Sequence, residues 1–359
     1  MNLPTPQPRR RRWLTLLLVL SLLANLIAIG WYAMRPSTNL VESHFLGETT
    51  AKDKIAIVRV SGVISEATLA WPVRQLEMAA ADPHVKAVVL RVDSPGGTIS
   101  ASDELYRCLV DVRDKSGRRF PGTAAKPIIT SMGGMAASGG YYIATAGHPI
   151  FAERNTITGS IGVFVALPNA AEFGEKHGIK LELIKAGGIK ASGSLFQTMS
   201  PLERQPWQDT VDHAYQQFLS VIAAERPELT ADKMTSETVI DRPVPERDAK
   251  GNVQDKTVRY TRVRADGGTF TPPQAKQFGL IDELGDLPAA VKKAAEIAGL
   301  TSYRAVNYNR PQTWSERIIG FDLGVKQTSP EMPDLSLALT PRLWYLAPQA
   351  EMAGLTVGP

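Results

Sequence analysis

The sequence has a single cysteine, Cys108, among 359 residues. One thiol closes no intrachain disulfide and builds no cysteine metal cluster. Cys108 sits in a helical pattern with Leu105, Leu109 and Val112, as a small core residue does. The five histidines, His44, His84, His148, His177 and His213, show no metal-ligand spacing. No metal and no cofactor are expected. Charge of one sign is also scarce: the net charge is +4, and the consecutive arginines Arg9–Arg12 account for it. The remainder is near neutral, so a pI of 9.0 makes no case for nucleic acid. After Met34 no further apolar run is long enough to span a bilayer. The tail Tyr303–Pro359 is weakly patterned and carries no repeat. What remains, at 43% hydrophobic and 21% charged residues, is enough for a packed core.

The one long apolar run is Trp13–Met34, interrupted only by Thr15, Ser21 and Asn25. At about 1.5 Å per residue it reaches across a hydrocarbon core of roughly 30 Å. Trp13 at one end and Trp31 with Tyr32 at the other suit the two interfaces. The run is longer than the apolar core of a signal peptide, and no A-x-A site follows it. It reads as an uncleaved anchor. Arg9–Arg12 before it place the N-terminus in the cytoplasm and everything after Arg35 outside.

The chain is organised around Ile128–Gly147, I-I-T-S-M-G-G-M-A-A-S-G-G-Y-Y-I-A-T-A-G. It opens as a β-prone strand, loses side-chain bulk at Gly133, Gly134, Ala136 and Ala137, and resumes as a helical run after Ser138. Strand, small-residue turn and helix put a serine hydroxyl at a helix N-terminus, where small neighbours let a substrate backbone approach. The alternative reading is a tight turn with Ser138 as a helix N-cap.

Around it, Lys54–Ile64, Val85–Val92 and Lys126–Met132 read as buried strands, separated by helices at Pro72–Ala81 and Ser100–Lys115. That is a parallel βαβ series. Asp93-Ser94-Pro95-Gly96-Gly97 and Ser138 both follow carboxyl ends of strands, where ligand sites lie in such sheets. Downstream, Ile150–Ala152, Thr156–Phe164 (broken by Gly159 and Gly162) and Ile179–Lys185 read as strands, and Ala170–His177 as a short helix. Ser200-Pro201-Leu202-Glu203 opens a helix to about Glu225 as a capping box with proline at its first position. Arg242–Arg264 reads as an inserted hairpin, and Thr271–Gly279 and Pro288–Ala298 as helices.

A serine nucleophile needs a base, because its hydroxyl is barely ionised at neutral pH. His148, beyond the helix, has no evident orienting carboxylate in sequence. A lysine can serve when desolvation disfavours its charged form. Lys190 is the one lysine in the small-residue stretch Ala186–Ser194; on residues alone it reads first as an ordinary loop lysine, since perturbed lysines are uncommon.

Four segments together resemble the signal peptide peptidase A family, membrane-anchored Ser/Lys proteases of the Clp-protease/crotonase type of fold. They are D-S-P-G-G at Asp93–Gly97, S-M-G-G-M-A-A-S-G-G-Y-Y at Ser131–Tyr142, T-G-S-I-G-V at Thr158–Val163 and I-K-A-G-G-I-K at Ile184–Lys190. L-I-D-E-L-G at Leu280–Gly285 and T-P-R-L-W-Y-L at Thr340–Leu346 also fit. The resemblance covers roughly Lys54–Leu300. It implies Ser138 as nucleophile, Lys190 as general base, Ser160 as the group orienting the lysine amine, and the N–H groups of Gly97 and Gly139 as the oxyanion hole. The sequence departs from the family at Ala265-Asp266-Gly267-Gly268, where arginine usually follows the glycine, and in the length of Arg242–Arg264.

The implied architecture is α/β: a Clp-protease/crotonase-like ββα superhelix with parallel strands, preceded by one transmembrane helix. The expected segments are a basic tail (1–12), an anchor (13–34), a linker (35–53), a protease domain (54–300, with the hairpin 242–264) and a C-terminal extension (301–359). The expected activity is endopeptidase cleavage of signal peptides left in the membrane, by a ring- or dome-shaped homo-oligomer on the extracytoplasmic face of the bacterial inner membrane. A non-catalytic scaffold of the same fold and a crotonase-type acyl-CoA enzyme are the alternatives. Retention of Ser138, Ser160 and Lys190 speaks against the first, and the extracytoplasmic side against the second.

Overall fold

A computed structural model describes residues 13, 16–25, 40–114, 119–247, 253–309 and 343–346. The chain divides into two units, residues 1–42 with 309–328 and residues 43–308 with 329–359. In the first, residues 16–25 are helical and exposed. The rest of the expected anchor, apart from Trp13, lies outside the described residues. No helix among the described residues is long and apolar enough to cross a membrane.

The second unit is built on a mostly parallel sheet. Its strands are β1 (Val41–Gly47), β2 (Lys54–Ser61), β3 (Val85–Ser94), β5 (Ile128–Ala137), β6 (Ile150–Ala152), β7 (Ile157–Gly159), β11 (Thr269–Phe270), β12 (Glu283–Leu284) and β13 (Arg304–Asn309). The order is β1-β13-β2-β3-β5-β6-β12, with β7 beside the end of β5 and β11 beyond it. Helices α1 (Ala70–Ala81) and α2 (Ile99–Asp114) make the crossovers, and α3 (Gly139–Ala144) leaves β5 directly after Ser138. The remaining helices are α4 (Ala171–Lys176), α5 (Pro201–Glu225), α6 (Ala231–Thr235), α7 (Pro272–Gln277) and α8 (Leu287–Ile297). The sheet is wider than the protease domain expected from sequence, since β1 and β13 come from the stretches read as linker and extension.

Central strands of a parallel sheet are covered on both faces, so they read as continuous apolar runs. Ile55, Ile57, Ala87, Val89 and Ile129 form one core cluster with Leu287, Ala290, Val291 and Ala294 of α8. Each large aliphatic side chain so buried contributes about 1.5–3 kcal/mol. Helix α5 starts as its sequence dictates: Ser200 accepts from the Glu203 N–H, and the Glu203 carboxylate accepts from the Ser200 N–H. Its far end is pinned. Arg113 of α2 pairs with Glu225 at 2.6 Å, and Tyr106 donates to the same carboxylate at 2.5 Å. Arg226 grips Asp282 through two guanidinium nitrogens at 2.6 and 3.2 Å.

Two smaller sheets complete the unit. The antiparallel pair β9 (Glu237–Arg247) and β10 (Val253–Val263) carries the Arg259–Asp241 ion pair across its strands. A three-stranded sheet joins β4 (Gly96–Thr98), β14 (Leu343–Leu346) and β8 (Phe164–Val165), with β14 in the middle.

One sequence expectation fails locally. Ile179–Lys185 has the alternation of a strand, but it forms none and is exposed throughout. Among the described residues no edge of the three sheets pairs with it. The break expected at Gly159 within Thr156–Phe164 is there: Gly159 and Ser160 adopt positive φ and turn the chain between β7 (Ile157–Gly159) and β8 (Phe164–Val165).

Candidate active site

The site begins where β5 stops. The small residues of M-A-A let β5 continue alongside both β3 and β7: Ala136 pairs with Ser94 of β3 and with Thr158 of β7. The Thr158 hydroxyl donates to the Ala136 carbonyl at 2.7 Å and ties the two strands together. At Ser138 the backbone swings to φ 53°, ψ −117°, a conformation that non-glycine residues seldom adopt. The Ser138 N–H donates to the Gly159 carbonyl at 2.7 Å, and its own carbonyl accepts from Tyr142 N–H at 2.9 Å, starting α3.

Ser138 is therefore not a conventional N-cap. Its side chain makes no capping bond, it is only 1% exposed, and its hydroxyl has no hydrogen-bond partner among the described residues. A buried hydroxyl without a partner is costly, and a strained backbone adds to that cost. Ser160 shares the unusual conformation, with φ 52°, and is also buried. Because Ala137 pairs with Gly159 in parallel register, Ser138 and Ser160 are the next residues on two adjacent chains. The Ser160 N–H is fixed by the Gly268 carbonyl at 2.8 Å. So the A-D-G-G departure from the family lies directly behind this serine.

Gly97 is fixed from the other side. Ile64 N–H donates to Gly96 O, and Thr98 N–H to Ile64 O, both at 2.8 Å. Peptide groups alternate along a strand, so Gly97 turns its N–H and C=O the opposite way, toward β14, where Tyr345 is its partner. A Cβ on Gly97 would lie 1.7 Å from the Ile64 carbonyl oxygen, so only glycine fits. Gly140 approaches the D-S-P-G-G loop as closely: a Cβ there would lie 2.7 Å from Ser94 O. Gly139 opens α3, where the first N–H groups have no intrahelical acceptor. Of the two glycines, Gly139 offers its amide at the start of α3, next to Ser138, whereas the Gly97 amide faces β14.

Lys190 stands apart. It is exposed, in a succession of turns, and its ammonium makes no hydrogen bond or ion pair to a described residue. Ser138, Ser160, Gly97 and Gly139 are gathered within the second unit; Lys190 is not hydrogen-bonded to either serine. His148 does have a carboxylate partner that the sequence did not reveal: its Nδ1 lies 3.5 Å from Asp282 Oδ2. It is largely exposed and sits beyond the C-terminal end of α3, the end away from Ser138. Burial pushes the Asp282 carboxyl up, but the Arg226 guanidinium and the Ile150 N–H outweigh it and hold the carboxyl below its ordinary range. The described residues contain no group of acidic, histidine and cysteine side chains able to hold a metal.

β14 is the part of the site that sequence reasoning treated only as a matching motif. It runs antiparallel to β4 with Leu346 opposite Gly96 and Trp344 opposite Thr98, and its other edge pairs with β8. An extended chain segment thus lies across Gly97.

Residues 122–242 match the family described as Peptidase family S49. Protease 4 of Salmonella typhi is 33% identical over 239 residues, 67% of this chain and 32% of that protein. The chain therefore matches about a third of that relative's length. Putative protease slr0021 of Synechocystis is 32% identical over 253 residues, 70% of this chain and 77% of the relative. Putative signal peptide peptidase SppA of Enterococcus faecium is 27% identical over 287 residues, 77% of this chain and 73% of the relative. With its mostly parallel α/β sheet, its small-residue serine turn and this level of identity across most of a relative's length, the chain belongs to peptidase family S49, the family of signal peptide peptidase A.

Proposed function

We propose that the chain is a serine endopeptidase in which Ser138 is the nucleophile and Lys190 the general base. The observation that carries this reading is Ser138 itself: a buried, unpartnered hydroxyl on a left-handed strand-to-helix turn. Ser138 Oγ attacks the scissile carbonyl carbon, and its proton passes to the neutral lysine amine. The developing oxyanion is met by the amides of Gly97 and Gly139, a type of contact worth about 2.7–4 kcal/mol per donor. The lysine then protonates the leaving amine, and water, deprotonated by the same group, hydrolyses the acyl-enzyme. Ser160, beside Ser138, orients the amine.

The antiparallel seat of β14 supports a peptide substrate: it is the way an extended chain adds to a sheet edge by main-chain bonds. Since Lys190 is exposed and the Ser138 hydroxyl has no partner among the described residues, we place the lysine of one copy against the serine of another, in a closed homo-oligomer. The exposed side chains Ile179, Leu183, Ile184 and Ile189 around the lysine loop are apolar surface for such a contact. The Clp/crotonase-like superhelix, the anchor at 13–34, the extracytoplasmic side and residual signal peptides as substrates complete the reading. One relative's name, signal peptide peptidase, supports that substrate class.

The test is labelling of purified full chain with a fluorophosphonate probe. Covalent labelling that disappears in Ser138→Ala supports the reading. Equal labelling of Ser138→Ala, or none in the wild-type chain under conditions where it cleaves no peptide, returns it to a non-catalytic scaffold. Digestion by protease added to intact spheroplasts tests the side of the membrane; full protection until lysis counts against the outer face.

A further inference from the structure

We infer that Ser192 and Trp207 form a latch that positions Lys190, so that helix α5 determines where the lysine amine is presented. The inference rests on the reading of Lys190 as the base and goes beyond it by assigning a task to two residues outside the reacting groups.

The loop that carries Lys190 has little to hold it in place. Between Ala186 and Ser194 it offers almost no bulky side chains, and Gly187 and Gly193 adopt positive φ, at 93° and 83°. Its internal order is a succession of turns: Lys190 N–H to Gly187 O at 3.2 Å, Ser192 N–H to Ile189 O at 3.0 Å, and Ser194 N–H to Ala191 O at 3.0 Å. Chain of this kind is easily displaced unless something outside it is grasped.

Two residues past the lysine, the Ser192 hydroxyl uses both of its capacities on α5. It donates to the Glu203 carbonyl at 2.8 Å and accepts from the Trp207 indole N–H at 2.7 Å. Glu203 and Trp207 are four residues apart and share one face of the helix. On the entry side of the loop, Lys185 Nζ donates to Gly188 O at 3.0 Å and lies 3.7 Å from the Glu203 carboxylate. On the exit side, Leu195 O accepts from Ala170 N–H at 2.6 Å. Lys190 is the free apex between these holds.

Helix α5 is suited to being the reference. Its first turn is fixed by the Ser200–Glu203 capping box. Further along, Phe218 packs edge-to-face on Tyr142 with ring centroids 5.1 Å apart, and Tyr142 belongs to α3, four residues after Ser138. Its end is held by the Glu225 and Arg226 contacts to Arg113, Tyr106 and Asp282. One rod thus touches both the helix behind one copy's nucleophile and the loop of the base that this copy offers to another. Breaking the Ser192–Trp207 contact releases the lysine loop and leaves the Ser138 turn untouched. An ordinary structural hydrogen bond would instead show itself in folding and assembly.

The test uses the full chain and a fluorogenic peptide, with Ser192→Ala, Trp207→Phe, the double variant, Ser192→Thr and Lys190→Ala. Ser192→Ala and Trp207→Phe should each lower kcat roughly 10–100-fold, the range for loss of groups that orient a reacting residue, with KM nearly unchanged. The double variant should be no worse than Ser192→Ala, because that change already removes the contact to Trp207 together with the one to Glu203 O. Ser192→Thr keeps the hydroxyl and should restore turnover. Wild-type turnover in Ser192→Ala and Trp207→Phe, with Lys190→Ala inactive, would overturn the latch and leave the base assignment standing. Full turnover in Lys190→Ala would overturn the base assignment, and the latch with it. Activity lost only in step with folded protein by circular dichroism, or with assembly by sedimentation, would also overturn a positioning role.

Discussion

Replacing Ser138, the proposed nucleophile, should make the folded protomer more stable. Ser138 carries two costs in the folded, unassembled protomer, a left-handed backbone at φ 53°, ψ −117° and a buried hydroxyl without a partner among the described residues. Strain of that kind costs about 1–3 kcal/mol. An unsatisfied buried hydroxyl costs about 1–3 kcal/mol as well. Ser138→Ala removes the second cost and keeps the first, so a gain of about 1 kcal/mol is expected after the lost packing of the oxygen. Ser138→Gly relieves both, against about 0.5–1 kcal/mol of extra chain entropy in the unfolded state. The predicted order of stability is wild type, then Ala, then Gly, with both variants inactive. At roughly 2–4 °C per kcal/mol for a chain of this size, the steps are measurable by calorimetry at a fixed protein concentration. An Ala variant more than about 1 kcal/mol less stable than wild type would refute the reasoning, because it would mean the hydroxyl is satisfied. A Gly variant less stable than Ala would show that the backbone at Ser138 carries no strain worth relieving.

Three other outcomes can be checked alongside. Lys190→Arg should be as inactive as Lys190→Ala in peptide turnover, since guanidinium does not give up its proton at usable pH; substantial activity in the Arg variant would reduce the lysine to a positive charge. Gly97→Ala puts a methyl group where Ile64 O already lies, at 1.7 Å, so β4 must move its amide; kcat should fall by about 10²–10³, the cost of one oxyanion donor, and an unchanged kcat would remove Gly97 from the hole. Asp282 is held ionised by Arg226 and the Ile150 N–H, so its contribution is present above the ordinary carboxylate pKa of about 3.9 and is lost as pH falls through its lower folded value. Urea midpoints of Asp282→Asn and wild type should therefore differ near neutral pH and converge in strong acid; a gap that persists in acid would show that the ion pair is not its source.

Much of the sheet is legible because burial writes itself into composition. V-K-A-V-V-L-R-V and K-I-A-I-V-R-V can only be strands covered on both sides, and S-P-L-E announces a helix start whatever follows it. The serine turn is legible too, since loss of side-chain bulk between a strand and a helix is a local pattern. Its decisive property, the left-handed φ at Ser138, is not, because serine has no propensity for it; the pairing of Ala137 with Gly159 imposes it from another part of the chain. The partner of Ser160 was hidden for the same reason: Gly268 is distant in sequence. Ile179–Lys185 shows the converse failure. Its alternation is real, but strand formation needs an edge to pair with, and no property of the segment itself supplies one. β14 was visible only as a motif, since its role depends on which edge in the fold remains open.

If, as proposed, a substrate takes the place of β14 on the edge of β4, that edge sets a grammar for what can be cut. Gly97 addresses the chain lying opposite it through N–H and C=O alone, as it does Tyr345. Such a reader is blind to side-chain identity at that position but sensitive to the backbone itself. Proline has no N–H to return to the Gly97 carbonyl, and an N-methylated residue has none either. Side-chain preference then has to be written at neighbouring positions, by whatever lines the two flanks of the groove. A polypeptide with proline at the position facing Gly97 should pass through the site uncut, however apolar the rest of it is.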